Sequence, residues 1–140
     1  MQVFIIGTPL ETAIALDNRR LNKQIIECEQ ILDALNGKKA WSNHPCTLQY
    51  KKHQTWLDLY KRCLEAYFNN NMQEAEWTNY LAVMLTPYFH TEDYLNQMKK
   101  RLYTKKKEHY KQFSDLGTSE ENWYFVDNEW RIYKNGNRIK

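Results

Sequence analysis

The residues best suited to chemistry lie in one stretch, residues 16–27, whose polar side chains are too many for a plain solvent face. At 100° per residue Arg20, Lys23 and Glu27, spaced three and four apart, fall on one stripe of a helix beside an apolar seam. A carboxylate among cations can hold or pass a proton, or stabilise positive charge that develops on a substrate. The same spacing also makes an ordinary Lys23 to Glu27 surface pair, worth about 0.3–0.5 kcal/mol, and spacing alone does not separate the two.

Other chemistries find no residues to carry them. The chain has no Gly-rich phosphate loop, no H-E-x-x-H and no nucleophile elbow, so nucleotide-driven and metalloprotease-like reactions are not expected. His44, His53, His90 and His109 are scattered, and neither a metal nor any other cofactor is expected. Cys28, Cys46 and Cys63 cannot all pair within one chain and none sits in a C-x-x-C motif, which points to a reducing, cytoplasmic setting. The opening Met1-Gln2-Val3-Phe4-Ile5-Ile6 lacks a basic leader, has a short apolar run and meets Gly7-Thr8-Pro9 at once. It reads as neither signal peptide nor membrane span, so a soluble, unexported protein with no membrane partner is expected.

The net charge of +3 identifies no partner by itself, but its distribution is uneven. Lys99, Lys100, Arg101, Lys105, Lys106 and Lys107 form one basic stretch, and Arg19, Arg20 and Lys23 another. Each could contact phosphate or simply be a solvated helix face.

What must position these groups is helical. A chain of 140 residues with 42% hydrophobic and 14% aromatic side chains, four Gly and three Pro argues against disorder and against a turn-rich sandwich. The expectation is all-α: one compact domain over residues 1–140, of about five helices, with an irregular or hairpin-like aromatic C-terminal tail. Thr8-Pro9-Leu10-Glu11 is a capping box that starts a first helix, and Asp17 starts a longer one with a seam of Leu21, Ile25, Cys28, Leu32 and Leu35, closed by Asn36-Gly37. After a basic, aromatic loop, His44-Pro45 opens one long helix whose apolar stripe runs from Leu48 to Phe68 and stops at Asn69-Asn70-Asn71. Trp77, Tyr80, Leu81 and Met84 mark a shorter helix ended by Pro87, with Trp77, like Trp56, read as core. Thr91-Glu92-Asp93 caps the last, with Tyr94, Leu95, Met98, Leu102 and Tyr110 inward, before a surface loop over residues 114–122. The aromatic runs at residues 123–126 and 130–133 suit a hairpin or an extended tail, and Asn135-Gly136 is a turn.

Several blocks together resemble the pyrimidine-dimer DNA glycosylases typified by the phage enzyme endonuclease V, and look like a bacterial branch of that family. They are Met1-Gln2-Val3-Phe4; Leu16-Asp17 with Arg20-Leu21, Lys23-Gln24 and Glu27 before Gln30-Ile31-Leu32; and Trp41-Ser42-Asn43-His44-Pro45. The ending Trp130-Arg131-Ile132-Tyr133-Lys134 is similar to the phage enzyme's aromatic, basic tail. The resemblance implies a glycosylase whose N-terminal α-amine attacks C1′ of a damaged nucleotide in double-stranded DNA, with AP-lyase cleavage through the resulting imine. An α-amine suits this because its ordinary pKa, about 7.7–8.0, leaves a useful neutral fraction near pH 7.

By position the resemblance makes Glu27 the essential carboxylate, and Met1 the nucleophile, or Gln2 if the initiator is removed. Gln2 is large where the phage enzyme has a small second residue, so Met1 is expected to stay. Arg20 stands where the phage enzyme has a DNA-contacting histidine, with Arg19 and Lys23 beside it. Trp41, His44, Trp130, Tyr133 and Lys134 complete the implied DNA contacts, the aromatic ones by stacking or filling the gap left by an extruded nucleotide. Ordinary core packing is the competing reading for Trp130. Ile26 stands where the phage enzyme has an arginine, so a modified pyrimidine competes with the pyrimidine dimer as substrate. The protein is expected to act as a monomer. Two other classes stay open: a non-catalytic DNA-binding protein of the same fold with a regulatory or phage anti-defence role, and a helical interaction protein with no nucleic-acid partner.

Overall fold

The computed structural model describes every residue, Met1–Lys140. The chain is mostly helical and ends in a small antiparallel sheet, which corrects the purely all-α expectation. It divides into two compact units, Met1–Pro87 and Tyr88–Lys140.

In the first unit an extended, buried segment at residues 2–5 precedes α1 (Pro9–Ala15). The capping box forms as its sequence implies: Thr8 Oγ1 accepts from the Glu11 N–H at 3.2 Å and Glu11 accepts from the Thr8 N–H at 2.9 Å. Asp17 opens α2 (Asn18–Leu35), whose buried residues are Leu21, Gln24, Cys28, Ile31 and Ala34. The expected seam was therefore rotated: Ile25, Leu32 and Leu35 are only half-buried, and a glutamine occupies the core position.

The long helix expected after Pro45 is broken into α3 (Pro45–Gln49) and α4 (Gln54–Phe68). No Gly or Pro marks the break. A turn closes with the His53 N–H on the Tyr50 carbonyl at 2.9 Å, and it lets Tyr50 stack on Trp56, which stacks on Tyr60, at centroid distances of 5.5 and 5.0 Å. Burying three rings outweighs the turn of helix given up.

Helix α5 (Met72–Met84) is capped by Asn71, whose side chain accepts from the Glu74 N–H. Its buried face is Ala75, Thr78 and Ala82, whereas Trp77, Tyr80 and Met84 are exposed, Trp77 by 55%. The expectation of a buried Trp77 was wrong, because small residues on both sides let α5 approach α4 closely: Cys63 and Ala66 pack on Ala75, with Leu10 and Tyr67 at the edge. The Leu10 N–H also bonds Asn79 Oδ1 at 2.9 Å.

In the second unit α6 (Glu92–Lys105), capped by Thr91, buries Tyr94, Gln97, Met98 and Leu102. A short 3-10 helix (Lys111–Leu116) follows, and β1 (Glu121–Val126), β2 (Glu129–Lys134) and β3 (Asn137–Arg138) form a meander in the order β1-β2-β3. Only the middle of the expected 114–122 loop is irregular. Gln97 Nε2 donates to Ser119 Oγ and to the Glu121 carbonyl, both at 2.7 Å, and fixes it to α6. The β1-β2 turn is Asp127-Asn128, both at positive φ (53° and 61°), the geometry of a tight hairpin whose twist matches its strands.

Candidate active site

The extended N-terminal segment has no strand beside it, and side chains from four helices take the place of one. From α2, Gln24 Nε2 donates to the Gln2 carbonyl at 2.9 Å and Gln24 Oε1 accepts from the Phe4 N–H. Gln24 thus bonds residues two apart, as a neighbouring strand would. The Val3 N–H meets the Cys46 thiol on α3, the Tyr60 hydroxyl on α4 donates to the Phe4 carbonyl, and the Ile6 N–H donates to Thr12 Oγ1 on α1 at 3.1 Å. Tyr60 also bonds Gln24 Oε1 at 3.1 Å. Buried backbone groups must be paired, and here the pairing specifies where the chain terminus goes.

It goes to Glu27. One helical turn beyond Gln24, on the same face of α2, Glu27 Oε2 accepts from the Gln2 N–H at 3.1 Å, and Lys23 Nζ lies 3.9 Å from Glu27 Oε1. The Lys23 side chain is 66% exposed and that of Glu27 16%, so the carboxylate is held inward while its cation is free to move. The surface ion pair read from the spacing does form, but on a carboxylate that also holds the terminus.

His44 caps α3, its Nδ1 accepting from the Cys46 N–H at 3.0 Å. Burial, reinforced by the nearby α-amine, pushes its pKa below the ordinary 6.5, so the ring facing the terminus is neutral near pH 7. The Cys46 thiol is pushed up to about 12 by burial, against the opposing pull of the same amine, so it stays protonated. Trp41, at φ 67° and 48% exposed, sets its ring edge-on to His44 at 5.9 Å.

Of the residues singled out from the sequence, Met1, Gln2, Lys23, Glu27, Trp41 and His44 lie in this neighbourhood of the first unit. Arg20 leans on buried Asp17, Nε to Oδ1 3.8 Å, and Arg19 is exposed. Trp130, Tyr133 and Lys134 stand on β2 in the second unit. There Trp130 packs against Phe125 and Tyr94 at 5.0 and 5.3 Å, Tyr133 meets Tyr124 edge-on at 5.7 Å, and Lys134 is exposed. Sequence reasoning missed Gln24, Cys46 and Tyr60. For Gln24 a signal existed, since it is the polar residue three after Leu21 and four before Cys28, the spacing of one helical face.

A groove of about 650 Å³ is lined by Asn18, Leu21, Tyr67, Phe68, Asn70 and Met72, and holds none of the amine, Glu27 or His44.

No curated protein and no solved structure matches the chain. Residues 1–80 match the family described as pyrimidine dimer DNA glycosylase, and they include the extended segment and the helices that supply Gln24, Glu27, Cys46 and Tyr60. That match covers more than half of the sequence, and by it the chain belongs to the pyrimidine dimer DNA glycosylase family.

Proposed function

We propose that the chain excises a damaged pyrimidine, by default a cyclobutane pyrimidine dimer, from double-stranded DNA through an imine on its N-terminal amine, with AP-lyase cleavage following. The observation that carries this reading is the docking of the terminus, in which Gln2 is bonded to Glu27 and so brings the amine of Met1 to a half-buried carboxylate.

The neutral amine of Met1 attacks C1′, the bond from C1′ to the base nitrogen breaks with its electron pair on the base, and the base takes up a proton as it leaves. The attacking nitrogen sheds a proton to Glu27, which returns it to O4′ as the sugar ring opens and the iminium forms. The iminium draws electrons from C2′, whose proton is lost as the 3′ phosphate departs with the C3′–O pair. Water then hydrolyses the imine and frees the amine. Neutral His44 adds no repulsion to the cationic iminium beside it, and Glu27 stabilises it. Arg19, Arg20 and Lys23, along one side of α2, are the cations offered to phosphates, and exposed Trp41 is the aromatic ring available to stack in the gap.

Borohydride trapping tests the proposal. Untagged protein is incubated with duplex carrying a thymine dimer or an abasic site, reduced, and mapped by mass spectrometry. An adduct on Met1, or on Gln2 after processing, is the expected result. No adduct with either substrate, on a chain whose native N-terminus has been verified, would overturn it.

A further inference from the structure

The net charge of the chain is not shared between its two units. Tyr88–Lys140 holds eleven of the twenty Lys and Arg and eight of the seventeen Asp and Glu, a net of +3, while the nine and nine left on Met1–Pro87 cancel. Within the second unit the excess is concentrated further: residues 94–107 contain no Asp or Glu and six Lys or Arg. Arg101 is directed inward, to the Ser119 carbonyl and Asn122 Oδ1 at 3.1 Å each. The lysines are not. Lys99 Nζ rides over the Phe113 ring and Lys107 Nζ over the Tyr103 ring, each 5.9 Å from the centroid. Lys99 and Tyr103, four apart on α6, share a face, and Lys111 stands exposed at the start of the 3-10 helix. Rings under the ammonium groups hold them in place without neutralising them.

We propose that this face, built on Lys99, Lys100, Lys107 and Lys111, is a sequence-independent contact for the phosphate backbone of duplex DNA and supplies most of the affinity for undamaged DNA. It rests on the reading that DNA is the substrate, and adds that the unit without the amine does most of the holding. The partner follows from the charge: four lysines with a single carboxylate, exposed Glu108, between them in sequence repel other cations and basic proteins, and match a polymer with one negative charge per ~1.7 Å of axis.

The test is the salt dependence of binding by the full chain to a short undamaged duplex. Replacing Lys99, Lys100, Lys107 and Lys111 by Gln should lower the slope of log K against log salt by about three to four, and weaken binding about tenfold or more near physiological salt. Replacing Lys38, Lys39, Lys51 and Lys52, four exposed lysines of the first unit, changes the net charge equally and should leave the slope within about one. Equal losses from both variants, or none from the first with its thermal midpoint intact, overturn the proposal. Trapping on abasic DNA separates this from the catalytic reading: a reduced slope with no adduct from the unaltered chain sinks the imine chemistry and leaves the surface, whereas an adduct with an unchanged slope does the reverse.

A second inference comes from the N-terminal docking alone. Gln24 and Tyr60 touch no reacting atom in the proposed chemistry, yet they bond the Gln2 and Phe4 backbone just behind the amine-bearing residue. We infer that they are positioning residues for the amine, and this too rests on the catalytic reading. Tyr60→Phe removes the donor to the Phe4 carbonyl, and Gln24→Glu keeps an acceptor for the Phe4 N–H while losing the donor to Gln2. Each should slow single-turnover adduct formation on saturating abasic duplex about tenfold or more, since misplacement of reacting groups by about 1 Å costs up to 100-fold. Duplex affinity, and reductive labelling of the same amine by a small aldehyde, should stay within about twofold, which a general loss of fold would not allow. Unchanged adduct rates in both variants would overturn the inference; absence of any adduct from the unaltered chain would instead remove the catalytic reading beneath it.

Discussion

Glu27 Oε2 accepts the backbone N–H of Gln2 at 3.1 Å, across 25 residues of sequence. A carboxylate bonded to the peptide group next to the chain terminus is within reach of the amine one residue back, and this joins the fold to the proposed chemistry. Glu27→Gln keeps the shape and an oxygen acceptor but cannot take a proton. It should lower single-turnover excision about 100- to 10,000-fold with duplex affinity nearly unchanged. Activity within a few fold of the unaltered chain would show that Glu27 serves only to hold the terminus.

Acid should loosen the site through His44. Its pKa is lowered in the folded chain, so between that lowered value and the ordinary 6.5 the unfolded chain binds more protons. Stability therefore rises with pH through this window and is lost as pH falls below 6.5. His44→Asn caps α3 without titrating. Thermal midpoints measured from pH 7 to pH 5 should fall less steeply for this variant, and parallel curves would assign the acid sensitivity to other groups.

The three thiols should be inert in the folded state. Cys28, Cys46 and Cys63 are buried, and burial raises all three, Cys46 to about 12 and Cys63 to about 11. A thiol reagent at pH 8 should label them only as fast as the chain opens, and with all three appearing together on denaturation. Rapid labelling of one thiol in the native chain would contradict its burial.

Two tryptophans from the same sequence pattern should behave oppositely. Trp56 is 2% exposed between two stacked rings, and Trp56→Ala should cost about 3–5 kcal/mol in denaturant unfolding. Trp77 is 55% exposed, and Trp77→Ala should cost within about 0.5 kcal/mol. A large loss at Trp77 would mean that its stacking on Tyr80, at 6.0 Å, contributes more than an exposed contact should.

What the sequence determined by itself is local. The capping box at Thr8 and Glu11, the caps at His44-Pro45 and Thr91 and the helical stripe carrying Lys23 and Glu27 follow from bonds within a turn of chain, and all are present, as is the helix start at Asp17. The family, too, was legible in the order of those blocks.

Only the tertiary structure decided which faces were inside. Periodicity ranks residues by side-chain polarity, so it chose Ile25 over Gln24 and Trp77 over Ala75. Gln24 is buried because the N-terminal backbone, with no strand beside it, needed an amide to bond; Ala75 is buried because two helices approach closely only over small residues. The break between α3 and α4 answers to the stacking of Tyr50, Trp56 and Tyr60, a relation among side chains that no local propensity encodes. The delivery of the chain terminus to Glu27 is of the same kind: it depends on bonds spanning 20 to 56 residues, whose partners each look ordinary where they stand in the sequence.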